Sequence, residues 1–88
     1  MKKKKNKHQV IKVPQHLSDT IAGRLQFAME VRGYTQSQLA ERVFVTRTTI
    51  TGYCNGYRTP NCNLLRRMAI ELDISTDYLL GLSDYITR

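Results

Sequence analysis

The stretch Thr35-Gln36-Ser37-Gln38-Leu39-Ala40-Glu41-Arg42-Val43-Phe44-Val45-Thr46-Arg47-Thr48-Thr49-Ile50-Thr51-Gly52-Tyr53-Cys54-Asn55-Gly56 decides the fold. It holds two helix starts. Thr35 stands at an N-cap position, and Gln38 three residues on completes a capping box, in which side chains answer the unpaired N–H groups of the first turn. Tyr34 before the cap and Leu39 at the fourth position form a hydrophobic staple. Leu39, Ala40 and Val43 turn inward, so this helix runs over about 36–43. Thr46 caps a second helix that runs to about Cys54. Ile50, Tyr53 and Cys54 share its inner face by i, i+3, i+4 spacing, while Arg47, Thr48, Thr51 and Gly52 occupy the other. Asn55-Gly56 is a turn signal.

Working outward, the same devices recur. Ile21, Leu25, Ala28 and Met29 make one apolar stripe, which predicts a helix over 19–32 that is capped by Ser18 or Asp19 and stopped at Gly33. Tyr57-Arg58-Thr59-Pro60 is a loop. Asn61 caps a helix over 62–72 with Leu64, Leu65, Met68, Ala69 and Leu72 inside. Ser75 caps a short helix over 76–81, with Ile74 and Leu79 as its staple. Val10-Ile11-Lys12-Val13 is β-prone and is cut off from the first helix by Pro14; it predicts an extended arm lying on the body or on a partner. The expected class is all-α, with five helices in about 70 residues joined by short connections.

The chain has 88 residues, with 14 Lys+Arg against 7 Asp+Glu and a formal net charge of +7. That length predicts one small domain, without a separate ligand-binding or self-cleaving one. The charge is unevenly placed. Residues 1–16 hold six lysines and no acid, so residues 17–88 are left close to +1. The division predicts a flexible basic arm over 1–16 and a folded domain over 17–88. A cationic arm suits an anionic partner; a solubilising tail or an expression remnant is the other reading of the same residues. A membrane-surface role needs an apolar face, which the lysine run lacks. No apolar run follows it as in a secretory segment, and none reaches membrane-span length, so the expected location is the cytoplasm, with Cys54 and Cys62 reduced. Cys54 and Cys62 with the distant His8 and His16 match no common metal pattern. No nucleophile–base set, phosphate loop or small-molecule site is evident, so neither an enzyme nor a cofactor is expected.

Two short helices separated by Phe44-Val45 make a helix-turn-helix unit, whose second helix can enter the DNA major groove. Together with Gly33 to Ile50, Asn55-Gly56, Pro60, Leu64-Leu65, Ala69, Leu72 to Ser75 and Tyr78 to Gly81, the sequence resembles the Cro/C1-type helix-turn-helix family of phage repressors and xenobiotic-response-element-type regulators. The resemblance spans about residues 19–82 and all five helices. It implies a compact lambda-repressor-like domain that acts as a sequence-specific double-stranded DNA-binding transcriptional regulator, a repressor, and as a homodimer.

The resemblance also implies roles. Gln36 and Thr46 at the two helix starts match positions that bond DNA phosphates, where helix N-termini favour anions. Arg47 and Thr48 match positions that read base edges, Arg through guanine O6/N7 and Thr through a thymine methyl or a polar edge. Thr51, one turn on, reaches a base or a phosphate. Asn55, Tyr57 and Arg58 lie in the loop against the DNA backbone, although the Tyr57 ring also suits a lid on the core. Some relatives carry a lysine-rich arm that reaches around DNA, a role open here to Lys2, Lys3, Lys4, Lys5 and Lys7. A protein-interaction module, such as an antitoxin that neutralises a partner and autoregulates, is the alternative function.

Three departures from the family pattern involve four positions. Met29 and Cys54 replace a partly buried ion pair, which predicts a buried contact between them. Phe44 occupies the turn where the family has Gly; either it holds a left-handed backbone at a cost, or the turn differs. Gly52 costs about 0.5–1 kcal/mol relative to Ala. It signals either close backbone approach or an uncrowded groove, or else simple drift. For the dimer surface, Leu79, Leu82, Tyr85 and Ile86 are candidates, with packing inside one subunit as the other use of these residues.

Overall fold

The computed structural model describes residues 11–87. A single 3-10 turn, Gln15–Leu17, leads into five helices: α1 Ile21–Arg32, α2 Gln36–Val43, α3 Arg47–Asn55, α4 Cys62–Leu72 and α5 Thr76–Leu80. The predicted caps at Thr35, Thr46, Asn61 and Ser75 are all in place, each side chain accepting the backbone N–H three residues on. The capping box of Thr35 and Gln38 is complete in both directions, at 3.1 and 2.9 Å.

The first helix starts later than predicted. Thr20, rather than Ser18 or Asp19, caps it by accepting from Gly23 N at 3.0 Å. Ser18 instead closes the 3-10 turn by donating to the Gln15 carbonyl at 2.9 Å. That turn lies against α1 at Gly23, where a Cβ would come within 2.5 Å of the Leu17 carbonyl oxygen. The last helix ends at Leu80, one residue short of the predicted end, because Gly81 turns left-handed at φ 87.

The core gathers one face from every helix: Leu25, Ala28 and Met29 of α1, Leu39 and Val43 of α2, Ile50 of α3, Leu65 and Met68 of α4, and Tyr78 and Leu79 of α5. Met29 and Cys54 meet as expected, with sulfur atoms 3.9 Å apart and both side chains buried. Burial pushes the Cys54 thiol pKa up, so an uncharged pair stands at this position.

Residues 11–13 lie on the body. The Ile11 carbonyl accepts from Ile86 N, and the Asp84 carbonyl accepts from Val13 N, both at 2.9 Å, around an antiparallel bridge between Lys12 and Tyr85. Val13 and Ile86 are buried by this pairing. Of the four candidate dimer residues, Leu79 and Ile86 are therefore spent inside the subunit, whereas Leu82 and Tyr85 stay exposed beside Leu80.

Arg24 sits in the apolar stripe of α1 with only 4% of its surface exposed. It donates to the carbonyls of Ser18 (2.8 Å), Tyr78 (2.6 Å) and Ser83 (2.8 Å) and to Asp84 Oδ1 (2.7 Å). Its guanidinium also lies over the Tyr78 ring, 5.1 Å from the centroid, and the Tyr78 hydroxyl returns a 2.6 Å bond to the Arg24 carbonyl. The planar five-donor fork of arginine suits this task; one side chain satisfies acceptors from three segments at once.

Other arginines close helix C-termini. Arg32 donates to the carbonyls of Leu72 and Asp73 at the end of α4, and Arg67 donates to the Val43 carbonyl at the end of α2. Both place positive charge where the helix dipole is negative.

Candidate nucleic-acid interface

The turn between α2 and α3 fixes the angle of the pair. Phe44 holds it in the left-handed region, at φ 65 and ψ 44. Its ring is 84% exposed. The alternative of an altered turn is thereby removed: the backbone keeps the conformation that glycine would adopt freely, and ring burial does not offset the cost. Phe44 N and Val45 N still bond the carbonyls of Glu41 and Ala40, so the end of α2 is closed.

Thr46, Arg47 and Thr48 lie exposed at the start of α3. The Thr46 hydroxyl accepts from Thr49 N at 3.2 Å and meets the Thr49 hydroxyl at 3.0 Å. Among the described residues no ion pair engages Arg47, Arg58 or Arg66, whereas Arg24 and Arg42 have carboxylate partners. Arg47 and Arg58 thus project unneutralised charge from α3 and the loop after it.

Gln36 opens α2 half-buried, and its side-chain oxygen accepts from the Thr51 hydroxyl at 2.5 Å. This bond joins the start of α2 to the outer face of α3. It orients the Gln36 amide and spends the single donor of Thr51, which keeps only acceptor capacity for any further contact. Sequence reading places both residues at the site but misses their pairing, since they stand 15 positions apart.

Asn55 ends α3 exposed, and Gly56 follows it at φ 81. Tyr57 is 85% exposed, so its ring is no lid on the core. Arg58 is pinned to α3 through its backbone N–H, which donates to the Gly52 carbonyl at 3.1 Å. Gly52 is itself buried, and the cover is Arg58: a Cβ at position 52 would stand 3.0 Å from Arg58 Cδ and 3.1 Å from Cγ. Lys2, Lys3, Lys4, Lys5 and Lys7 lie outside the described residues.

The structure therefore brings Gln36, Thr46, Arg47, Thr48, Thr51, Asn55 and Arg58 onto α3, its flanks and the start of α2. Two capped helix N-termini contribute positive dipole ends to the same unit. Behind it, Tyr34 donates to Glu71 at 2.7 Å, which holds its phenol pKa above the ordinary value, and Arg42 pairs with the same carboxylate at 3.3 Å. Among the described residues no cluster of His, Cys, Asp or Glu is built to hold a metal ion, and no helix is long and apolar enough to cross a membrane.

Known proteins resemble this chain in sequence and in fold. The chain is 34% identical over 62 residues to the HTH-type transcriptional regulator ImmR of Bacillus subtilis strain 168, a match covering 70% of this chain and 49% of that protein. It thus spans about half the length of that curated relative. Among solved structures, the biofilm master regulator SinR in complex with DNA superposes with a TM-score of 0.66 at 26% identity, over 69% of this chain and 98% of that one. The restriction-modification controller protein C.AhdI from Aeromonas hydrophila gives 0.65 at 25% identity, over 75% and 99%. The P22 c2 repressor in complex with a synthetic operator shares the fold, with a TM-score of 0.69 at 23% identity over 74% and 98%. The helix-turn-helix family model matches residues 26–79, well over half of the sequence. On that match and the ImmR identity, the chain belongs to the Cro/C1-type helix-turn-helix family.

Proposed function

We propose that the chain is the sequence-specific double-stranded DNA-binding unit of a transcriptional regulator, a repressor, and that it acts by equilibrium binding without chemistry. The observation that carries this reading is the exposed start of α3, where Arg47 has no ion pair among the described residues and stands beside Thr46 and Thr48. The likeness to SinR, itself solved with DNA, and to the regulator ImmR supports it. Arg47 and Thr48 read base edges in the major groove, and Thr51 contributes an acceptor. Gln36, Thr46, Asn55, Tyr57 and Arg58 contact the backbone and set the register. The lysines of residues 1–7 add phosphate contacts, and the protein works in the cytoplasm.

Two copies pair through the exposed apolar residues Leu80, Leu82 and Tyr85, which sets two α3 helices about 34 Å apart for one turn of DNA. Selection from a random duplex library tests the reading. The expected result is a pseudo-palindromic motif with half-sites about one helical turn apart. Binding without any enriched motif would overturn sequence-specific recognition.

A further inference from the structure

Gly52 has no conformational reason to be glycine. The positive-φ glycines are Gly33, Gly56 and Gly81; Gly52 is an ordinary helical residue in the middle of α3. What it provides is room. The Arg58 stem lies where a side chain at position 52 would begin, with Cδ 3.0 Å, Cγ 3.1 Å and Nε 3.5 Å from the place a Cβ would occupy. The Arg58 backbone is tied to the same residue through the Gly52 carbonyl, so backbone and stem are both registered against one point of α3. Helical spacing puts position 52 on the face shared with Thr48 and Asn55. Arg58 is exposed, and no ion pair to a described residue diverts its guanidinium.

We propose that Gly52 is a positioning residue of the DNA interface. It forms a notch that seats the Arg58 stem across α3, so that a loop residue delivers its charge to a backbone phosphate from the recognition helix itself. Arg58 thus supplies the cation that α3 lacks at position 52. A methyl group there pushes the stem a few tenths of an ångström off its seat on α3 and loosens its register, so that a phosphate contact must first immobilise the side chain. The inference rests on the DNA-binding reading above and assigns Gly52 a role within it.

A double-mutant cycle tests the proposal, using the motif selected by the wild-type full chain and binding measured across a salt series. Arg58→Ala is expected to weaken binding about tenfold and to lower the salt slope by about 1. Gly52→Ala is expected to weaken binding about threefold or more, while its melting temperature equals or exceeds that of the wild type, since Ala is the better helix former. In the double variant Gly52→Ala adds nothing further to Arg58→Ala. Independent, multiplying effects would overturn the notch, as would a Gly52→Ala variant that binds like the wild type. If the wild type selects no motif, the DNA-binding reading fails, and the notch with it. A clear wild-type motif with an additive cycle removes the notch alone.

Discussion

Phe44 and Gly52 show two opposite uses of the glycine question. At Phe44 the backbone needs a left-handed conformation and has a bulky residue; at Gly52 it needs nothing special and has glycine. For an L-residue the left-handed region costs about 1–2 kcal/mol, and the exposed Phe44 ring regains little by burial. Phe44→Gly is therefore expected to raise stability by about 0.5–1 kcal/mol, after the entropy that glycine loses on folding is set against the strain it relieves. Thermal unfolding checks this: a melting temperature several degrees higher fits, and a lower one means that the ring makes a stabilising contact. The conformation at Phe44 is not legible in the sequence. A turn that lacks glycine can change shape or bear strain, and only the backbone angle decides. The meeting of Met29 and Cys54 is legible, because a family ion pair that loses both charges together leaves two apolar side chains of compatible size.

Among the elements, those whose ends carry their own chemistry are readable. Thr35 with Gln38, Thr46, Asn61 and Ser75 each place a hydroxyl or amide oxygen before an apolar stripe, and each is the observed cap. The start of α1 is not readable to the residue, since Ser18, Asp19 and Thr20 are all competent caps and the choice depends on where the 3-10 turn packs against Gly23. The role of Arg24 is equally hidden. A lone arginine between Ile21 and Leu25 looks like a surface charge until the C-terminal segment folds over it. Arg24→Ala removes the donor that ties α1 to Ser83 and to α5 and leaves the Tyr78 carbonyl with only its 3.2 Å bond from Gly81 N. It is expected to cost more than about 2 kcal/mol in denaturant unfolding. Asp84 is half-exposed, so Asp84→Asn is expected to cost under about 1 kcal/mol. Equal losses from the two variants would mean that the ion pair, rather than the carbonyl bonds, holds the C-terminal segment.

Across the whole molecule, a net charge of +7 separates into six lysines within residues 1–16 and a remainder close to +1. The remainder still presents a cationic face: Arg24 is buried, Arg32, Arg42 and Arg67 bond carbonyls or a carboxylate of the fold, and Arg47, Arg58 and Arg66 are exposed with no ion pair among the described residues, Arg47 and Arg58 on α3 and the loop after it. On the proposed function the labour divides accordingly: the lysines would supply affinity without sequence preference, and the few side chains of α3 discrimination. Deleting residues 1–7 is expected to weaken binding to all duplexes alike and to flatten the dependence of log K on log salt, by about 0.9 for each phosphate that the lysines no longer neutralise. An unchanged slope in a salt titration would show that the arm does not touch DNA.

The most direct test of the central claim is a second library selection with Arg47→Ala, read base pair by base pair against the wild-type motif. A side chain at the start of α3 that reads a base edge predicts the loss of preference at one base pair in each half-site, with the flanking positions kept. A motif retained without change at any position would contradict the placement of α3 in the major groove through Arg47.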